Sequence, residues 1–161
     1  MKRLVLFAII LIAACTVAMA QPRAIGGRLA YGIGASYQHG FGEKNMLQAD
    51  LDFLSYGWGI QGTVTYNWIF PINSWTGPGS WNWYAGVGGG LGYVWGWRGW
   101  GGYGFAGAAG MIGVEYNFKF PLQLSLDWRP LIGPAFDKHG AWFFTPGFYS
   151  SAIGLGIRYK F

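Results

Sequence analysis

From Met46 to the C-terminus the chain alternates apolar and non-apolar residues with a period of two, the spacing of a strand whose two faces meet different surroundings. In Met46 to Phe53 one face carries Leu47, Ala49, Leu51 and Phe53, and the other carries Gln48, Asp50 and Asp52. Ile60, Val64, Tyr66 and Trp68 alternate with Gln61, Thr63, Thr65 and Asn67. Trp83, Ala85, Val87, Leu91, Tyr93 and Trp95 alternate with a face that is mostly Gly: Gly86, Gly88, Gly90 and Gly92. Ile112 to Phe118, Leu122 to Arg129 and Tyr149 to Phe161 repeat the pattern, and no segment reads as a helix.

A water-soluble antiparallel sandwich alternates in the same way, with charged residues on its outward face. This chain has too few of them. Only 11% of its residues are charged, against 20% aromatic and 29 Gly, where a soluble domain carries about 25% charged. Its polar faces hold Gly, Ser, Thr, Gln and Asn, and its aromatics gather towards strand ends. Transmembrane barrels have this design: strands of about ten residues, apolar towards lipid and polar towards the lumen, with aromatic girdles at both interfaces. Closure is required, because an open sheet edge in hydrocarbon leaves backbone groups unpaired. The expected fold is therefore all-β, an eight-stranded antiparallel transmembrane β-barrel (a meander), in the outer membrane of a Gram-negative cell.

The N-terminus reads as an export signal. Lys2 and Arg3 precede an apolar run from Leu4 to Ala14, and Ala18-Met19-Ala20 offers small residues for cleavage. That run is shorter than the roughly 20 residues a membrane helix needs. The reading is a signal peptide over 1–20 and a barrel domain over 21–161. A competing reading takes Ile12-Ala13-Ala14-Cys15 as a lipoprotein acylation site. Cleavage after Ala20 removes the only cysteine, and with it disulfides and thiol chemistry. It also removes two of the eleven basic residues, leaving nine against six acidic, a net of +3. No basic stripe is present, so no nucleic-acid partner is expected.

Parity fixes the strand count. Export puts both termini on the periplasmic side, which demands an even number, and seven runs are plain. The eighth is expected from splitting Ala24 to Phe41 at Gly32-Ile33-Gly34, with a weak strand within His139 to Thr145 as the alternative. Lys119-Phe120-Pro121 is taken as the tightest, hence periplasmic, turn. Pro130 to Gly147 and Trp95 to Phe105 are then outer loops.

Several segments resemble small outer-membrane β-barrel proteins common in Bacteroidetes, of the OmpX/OmpA-like eight-stranded type. They are Tyr37-Gln38-His39, Tyr84-Ala85-Gly86-Val87-Gly88, Val114-Glu115-Tyr116-Asn117-Phe118-Lys119-Phe120-Pro121 and Leu124-Ser125-Leu126-Asp127-Trp128-Arg129-Pro130. Nearly the whole mature chain takes part. The C-terminal Ile157, Tyr159 and Phe161 resemble the signal read by the barrel assembly machinery. The resemblance implies a fold and a location. Its expected partners are outer-membrane lipid and lipopolysaccharide, periplasmic chaperones and the assembly machinery, with the barrel a monomer. It carries over no catalytic residue and no cofactor.

The candidate functional residues are inward ones. Arg28, Asp50, Asp52, Glu115, Asp127, Arg129, Arg158 and Lys160 are expected in the lumen, four acids and four bases. An eight-stranded barrel has an interior only wide enough for side chains, and an ion-selective pore shows a bias of sign. A side-chain-plugged lumen with no catalytic activity is thus the leading reading, and a narrow solute channel or a lipid-modifying enzyme the alternatives. The histidines offer weak support for hydrolysis, His39 near Ser36 and His139 beside Asp137. No spacing suggests a metal. Two GxGxxG matches, Gly57 to Gly62 and Gly99 to Gly104, lack the helix that a dinucleotide site needs. Possible contacts on the outer loops are Trp97, Arg98, Trp100, Tyr103, Trp142 and Phe143.

Overall fold

The computed structural model describes residues 23–30, 32–54, 58–75, 77–95, 101–144 and 152–161. The expected leader over 1–20, with Cys15, lies outside them, as do Trp97, Arg98 and Trp100. Among the described residues the chain forms ten strands: β1 (Arg23–Leu29), β2 (Gly32–Gly40), β3 (Asn45–Leu54), β4 (Gly59–Pro71), β5 (Ser80–Val94), β6 (Tyr103–Asn117), β7 (Leu122–Trp128), β8 (Leu131–Asp137), β9 (Gly140–Phe144) and β10 (Ile153–Lys160).

These strands build a closed barrel of eight antiparallel staves. Neighbours run β5-β4-β3-β2-β1-β10-β7-β6, and a fifteen-residue β5–β6 ladder closes the ring. β7 and β8 are one stave. Ile112 faces Trp128 and Ala109 faces Leu131 in a single register, and Gly110 N–H donates to the Pro130 carbonyl at 3.0 Å between them. Proline costs this stave one amide donor without shifting the register. Among the described residues β9 pairs with β8 alone and β10 pairs with β7, so both flank the β7–β8 stave on the side away from β6.

The register also gives the stagger. From Gly104 on β6 the ladder passes through Tyr93, Ile60, Phe53, Ile33, Leu29, Leu155 and Leu126 and returns to β6 at Val114, ten residues along. Such an offset is the geometric consequence of tilted strands in a closed sheet.

Four expectations need correction. The first hairpin turns two residues earlier than predicted, between Leu29 and Gly32, so Gly32, Ile33 and Gly34 belong to β2 and pair with Leu54, Phe53 and Asp52. Arg28 and Leu29 find cross-strand partners in Gly34 and Ile33, and those pairs would be lost if the turn lay there. The expected outer loop from Pro130 is mostly strand: β8 and β9 form a hairpin about Lys138 and His139, which places Trp142 and Phe143 on β9. Likewise Tyr103 and Phe105 open β6 instead of ending a loop.

Turn length does not sort the two ends as predicted. The termini and the connections 41–44, 72–79 and 118–121 share one mouth, the near mouth, yet the two-residue turns at 30–31 and 138–139 lie at the other, far mouth. Hydrophobic side chains outside are exposed, Val87 at 60% and Leu91 at 67%, and those buried inside are mostly polar.

Candidate functional site

Strand alternation delivers the inward side chains in layers, so the lumen can be read from one mouth to the other. In the middle lie three arginines, each almost fully buried: Arg28 on β1, Arg129 between β7 and β8, and Arg158 on β10. Arg28 holds Asp127 through Nη2 at 2.5 Å and Nε at 3.1 Å. Arg129 bridges two carboxylates of β3, donating to Asp50 Oδ2 at 2.5 Å and to Asp52 Oδ2. Charge-assisted contacts of this kind are short and strong, and a buried carboxylate needs them.

Arg158 differs from the other two. Its partners are hydroxyls and an amide: Ser36 Oγ at 2.8 Å, Ser125 Oγ at 2.8 Å and Gln123 Oε1 at 3.3 Å. Glu115, nearer the chain ends, is likewise held by amides, from Asn82 at 2.9 Å, Asn117 at 3.0 Å and Gln123 at 3.0 Å. Gln123 therefore links the two charges, accepting from the arginine and donating to the carboxylate. On the β3 side Gln38 donates to Gln48 at 2.8 Å, and Gln48 to Asp50 at 2.9 Å.

Space for these groups comes from glycine. A methyl on Gly154 would collide with the Arg28 guanidinium, and one on Gly34 with the Asp52 carboxylate. Gly154 on β10 and Gly34 on β2 thus leave room for the charged groups of neighbouring staves, whereas the β5 glycines Gly86, Gly88 and Gly90 lie against Asn67, Thr65 and Thr63 of β4.

The remaining candidates are dispersed. Lys160 is half-buried at the near mouth and donates from Nζ to the Phe118 carbonyl at 3.4 Å, away from the central carboxylates. Ile157, Tyr159 and Phe161 all project outwards, and the last two rings stack at 6.4 Å. At the far mouth Tyr103 packs edge-on to Trp142 at 5.5 Å, and Phe143 is 70% exposed. Ser36 and His39 stand three apart on β2 and so face opposite sides. Ser36 is buried against Arg158, whereas His39 lies among the outer rings of Tyr37 and Phe41. Asp137 accepts from the backbone N–H of His139 at 2.7 Å, a turn contact. No group of three metal-ligating side chains occurs among the described residues.

Two features escaped the sequence reading. Tyr84 is fully buried and donates to Asp127 Oδ2 at 3.3 Å. It shares the parity of Gly86 and Gly88, and that parity was the signal available. The second is an apolar layer inside the far mouth, formed by Leu54, Val94, Phe105, Ala109, Leu131, Ala135 and Ala152. Leu54 and Val94 have the parity of Asp52 and Gly92, so their direction was readable, but Phe105 and Leu131 lay in expected loops.

Comparison with known proteins bears on the fold. No protein-family model matches the chain, and no curated protein matches it. Among solved structures, the chain is similar to the N-terminal β-barrel domain of Pseudomonas aeruginosa OprF, with a TM-score of 0.58 and 17% identity over 88% of this chain and 96% of that one. At that identity the likeness is one of architecture.

Proposed function

We propose that this protein is an integral outer-membrane barrel whose lumen is filled by its own side chains, with a structural or surface-interaction role and no catalysis. The observation that carries the reading is the inverted partition of residue types. Arginine, aspartate, glutamine and asparagine are buried, while Ile33, Val64, Val87, Leu91, Leu126 and Leu155 are exposed around the whole circumference. Water does not tolerate an apolar surface of that extent, and hydrocarbon requires one. Rings at both ends of the staves, such as Trp68, Phe70 and Trp83 near the chain ends and Tyr93 and Trp95 beyond, fit interfacial girdles.

The lumen argues for occupancy over conduction. Its charges face one another across the barrel axis, and three acids and three arginines of the central layer cancel. In this reading the leader over 1–20 directs export. The outward Ile157, Tyr159 and Phe161 are presented to the assembly machinery, membrane lipid and lipopolysaccharide surround the monomer, and the far mouth with Trp142 and Phe143 meets the exterior. The resemblance to small Bacteroidetes barrels rests on the sequence segments alone.

The test is electrical. Purified mature protein refolded into planar bilayers is expected to give no discrete conductance steps at moderate voltage. Reproducible steps that scale with salt would refute a filled lumen in favour of a channel.

A further inference from the structure

We propose that the barrier to ions and water lies in the apolar layer at the far mouth, a hydrophobic seal over the charged layer, and not in the ion pairs themselves. The proposal rests on the closed-lumen reading and says where closure resides. Leu54, Val94, Phe105 and Leu131 converge from four staves and are each no more than 4% exposed. They are packed, and the packing is built in. A methyl on Gly92 would strike the Phe105 ring, one on Gly90 would lie 3.2 Å from Leu131 Cδ1, and one on Gly59 would lie 3.0 Å from Leu54 Cδ1.

The charged layer begins one inward step below. Asp52 precedes Leu54 on β3, and Arg129 precedes Leu131 where β7 joins β8. That layer is a poor barrier on its own. Arg28 Nη1, Asp52 Oδ1, Arg129 Nε and Arg158 Nη2 are buried yet unused by any hydrogen bond, and spare polar capacity of this kind attracts water. Below it, a cavity of about 150 Å³ opens at the near mouth among Gln38, Met46, Glu115, Gln123 and Lys160. Water therefore has polar hosts up to Asp52 and Arg129, and none among Leu54, Val94, Phe105 and Leu131. Apolar constrictions exclude ions by dewetting, since an ion there would shed its hydration without replacement. The seal also keeps the exterior's water from the pairs beneath, where lower polarity strengthens them.

The experiment compares three proteins in planar bilayers, each first checked for a heat-dependent gel shift as evidence of folding. They are the wild type, a seal variant (Phe105→Ala with Leu131→Ala) and a charge-layer variant (Asp50→Asn, Asp52→Asn, Arg129→Gln). A second seal variant, Ala109→Ser with Ala135→Ser, adds polarity with little change of volume and serves if the first fails to fold. The wild type and the charge-layer variant are expected to stay silent, and folded seal variants to conduct at least tenfold above leak. Silence from folded seal variants, or steps from the charge-layer variant alone, would overturn the seal while leaving the closed lumen standing. Steps from the wild type would overturn the closed-lumen reading and the seal together.

Discussion

A methyl group means opposite things at Gly113 and Gly62. At Gly113 it would point inwards, 2.7 Å from the Tyr84 ring and 2.8 Å from Asp127 Cβ; at Gly62 it would meet nothing within 4 Å. Gly113→Ala is expected to cost about 1–3 kcal/mol, the usual penalty of overpacking, and Gly62→Ala to stay within about 0.5 kcal/mol. Urea titration of vesicle-refolded protein separates them, and equal midpoints would contradict the assigned faces. The Arg28–Asp127 pair allows a sharper test. Asp127→Asn removes the carboxylate from a fully buried arginine, at an expected cost of roughly 3–5 kcal/mol. Replacing both partners, Arg28→Met with Asp127→Leu, should recover a large part of that loss. Simple additivity of the single effects in a double-mutant cycle would mean that the two side chains are not coupled.

Among the elements, the staves were more legible than their ends. Period-two runs at Met46–Phe53, Ile60–Phe70 and Ile112–Phe118 mark strand faces because each side chain has only two directions to choose from, and the parity of Asp50, Asp127 or Arg158 places it inside without further information. The same parity holds for Tyr84, Leu54 and Val94, but an apolar residue on an inner face carries no compositional flag. Turns depend on pairing with strands distant in sequence. Gly32 and Gly34 look like a turn and serve instead as β2 residues opposite Leu54 and Asp52. Pro130 looks like the end of a strand, yet its carbonyl still accepts from Gly110. Turn length misled for a similar reason, since the β8–β9 connection is as short as any. Direction across the membrane is best tested chemically. The mature chain has no cysteine if cleavage follows Ala20, so single introduced thiols report cleanly. His139→Cys, at the exposed β8–β9 turn, should react with a membrane-impermeant maleimide on intact cells, and Glu43→Cys, at the exposed β2–β3 turn, only after permeabilisation. The reverse pattern would invert the barrel.

Over the whole molecule, the balance of forces differs from that of a soluble domain. In the proposed membrane setting the exterior supplies no hydrophobic drive, so specificity falls to the closed ladder and to the lumen. There, Arg28, Arg129 and Arg158 tie β1, β7 and β10 to one another and to β2 and β3. Closure leaves no stave of the ring unpaired, which lets a sheet survive in hydrocarbon. Closure is also expected to make the folded state resist detergent, because unfolding must break a continuous ring of hydrogen bonds in one cooperative step. The most direct test of an outer-membrane barrel is the electrophoretic mobility of the protein from isolated outer membranes, run in SDS with and without boiling. An unheated band that migrates faster and shifts on boiling is the predicted result. Absence from the outer-membrane fraction, or one unshifting band there, would contradict it.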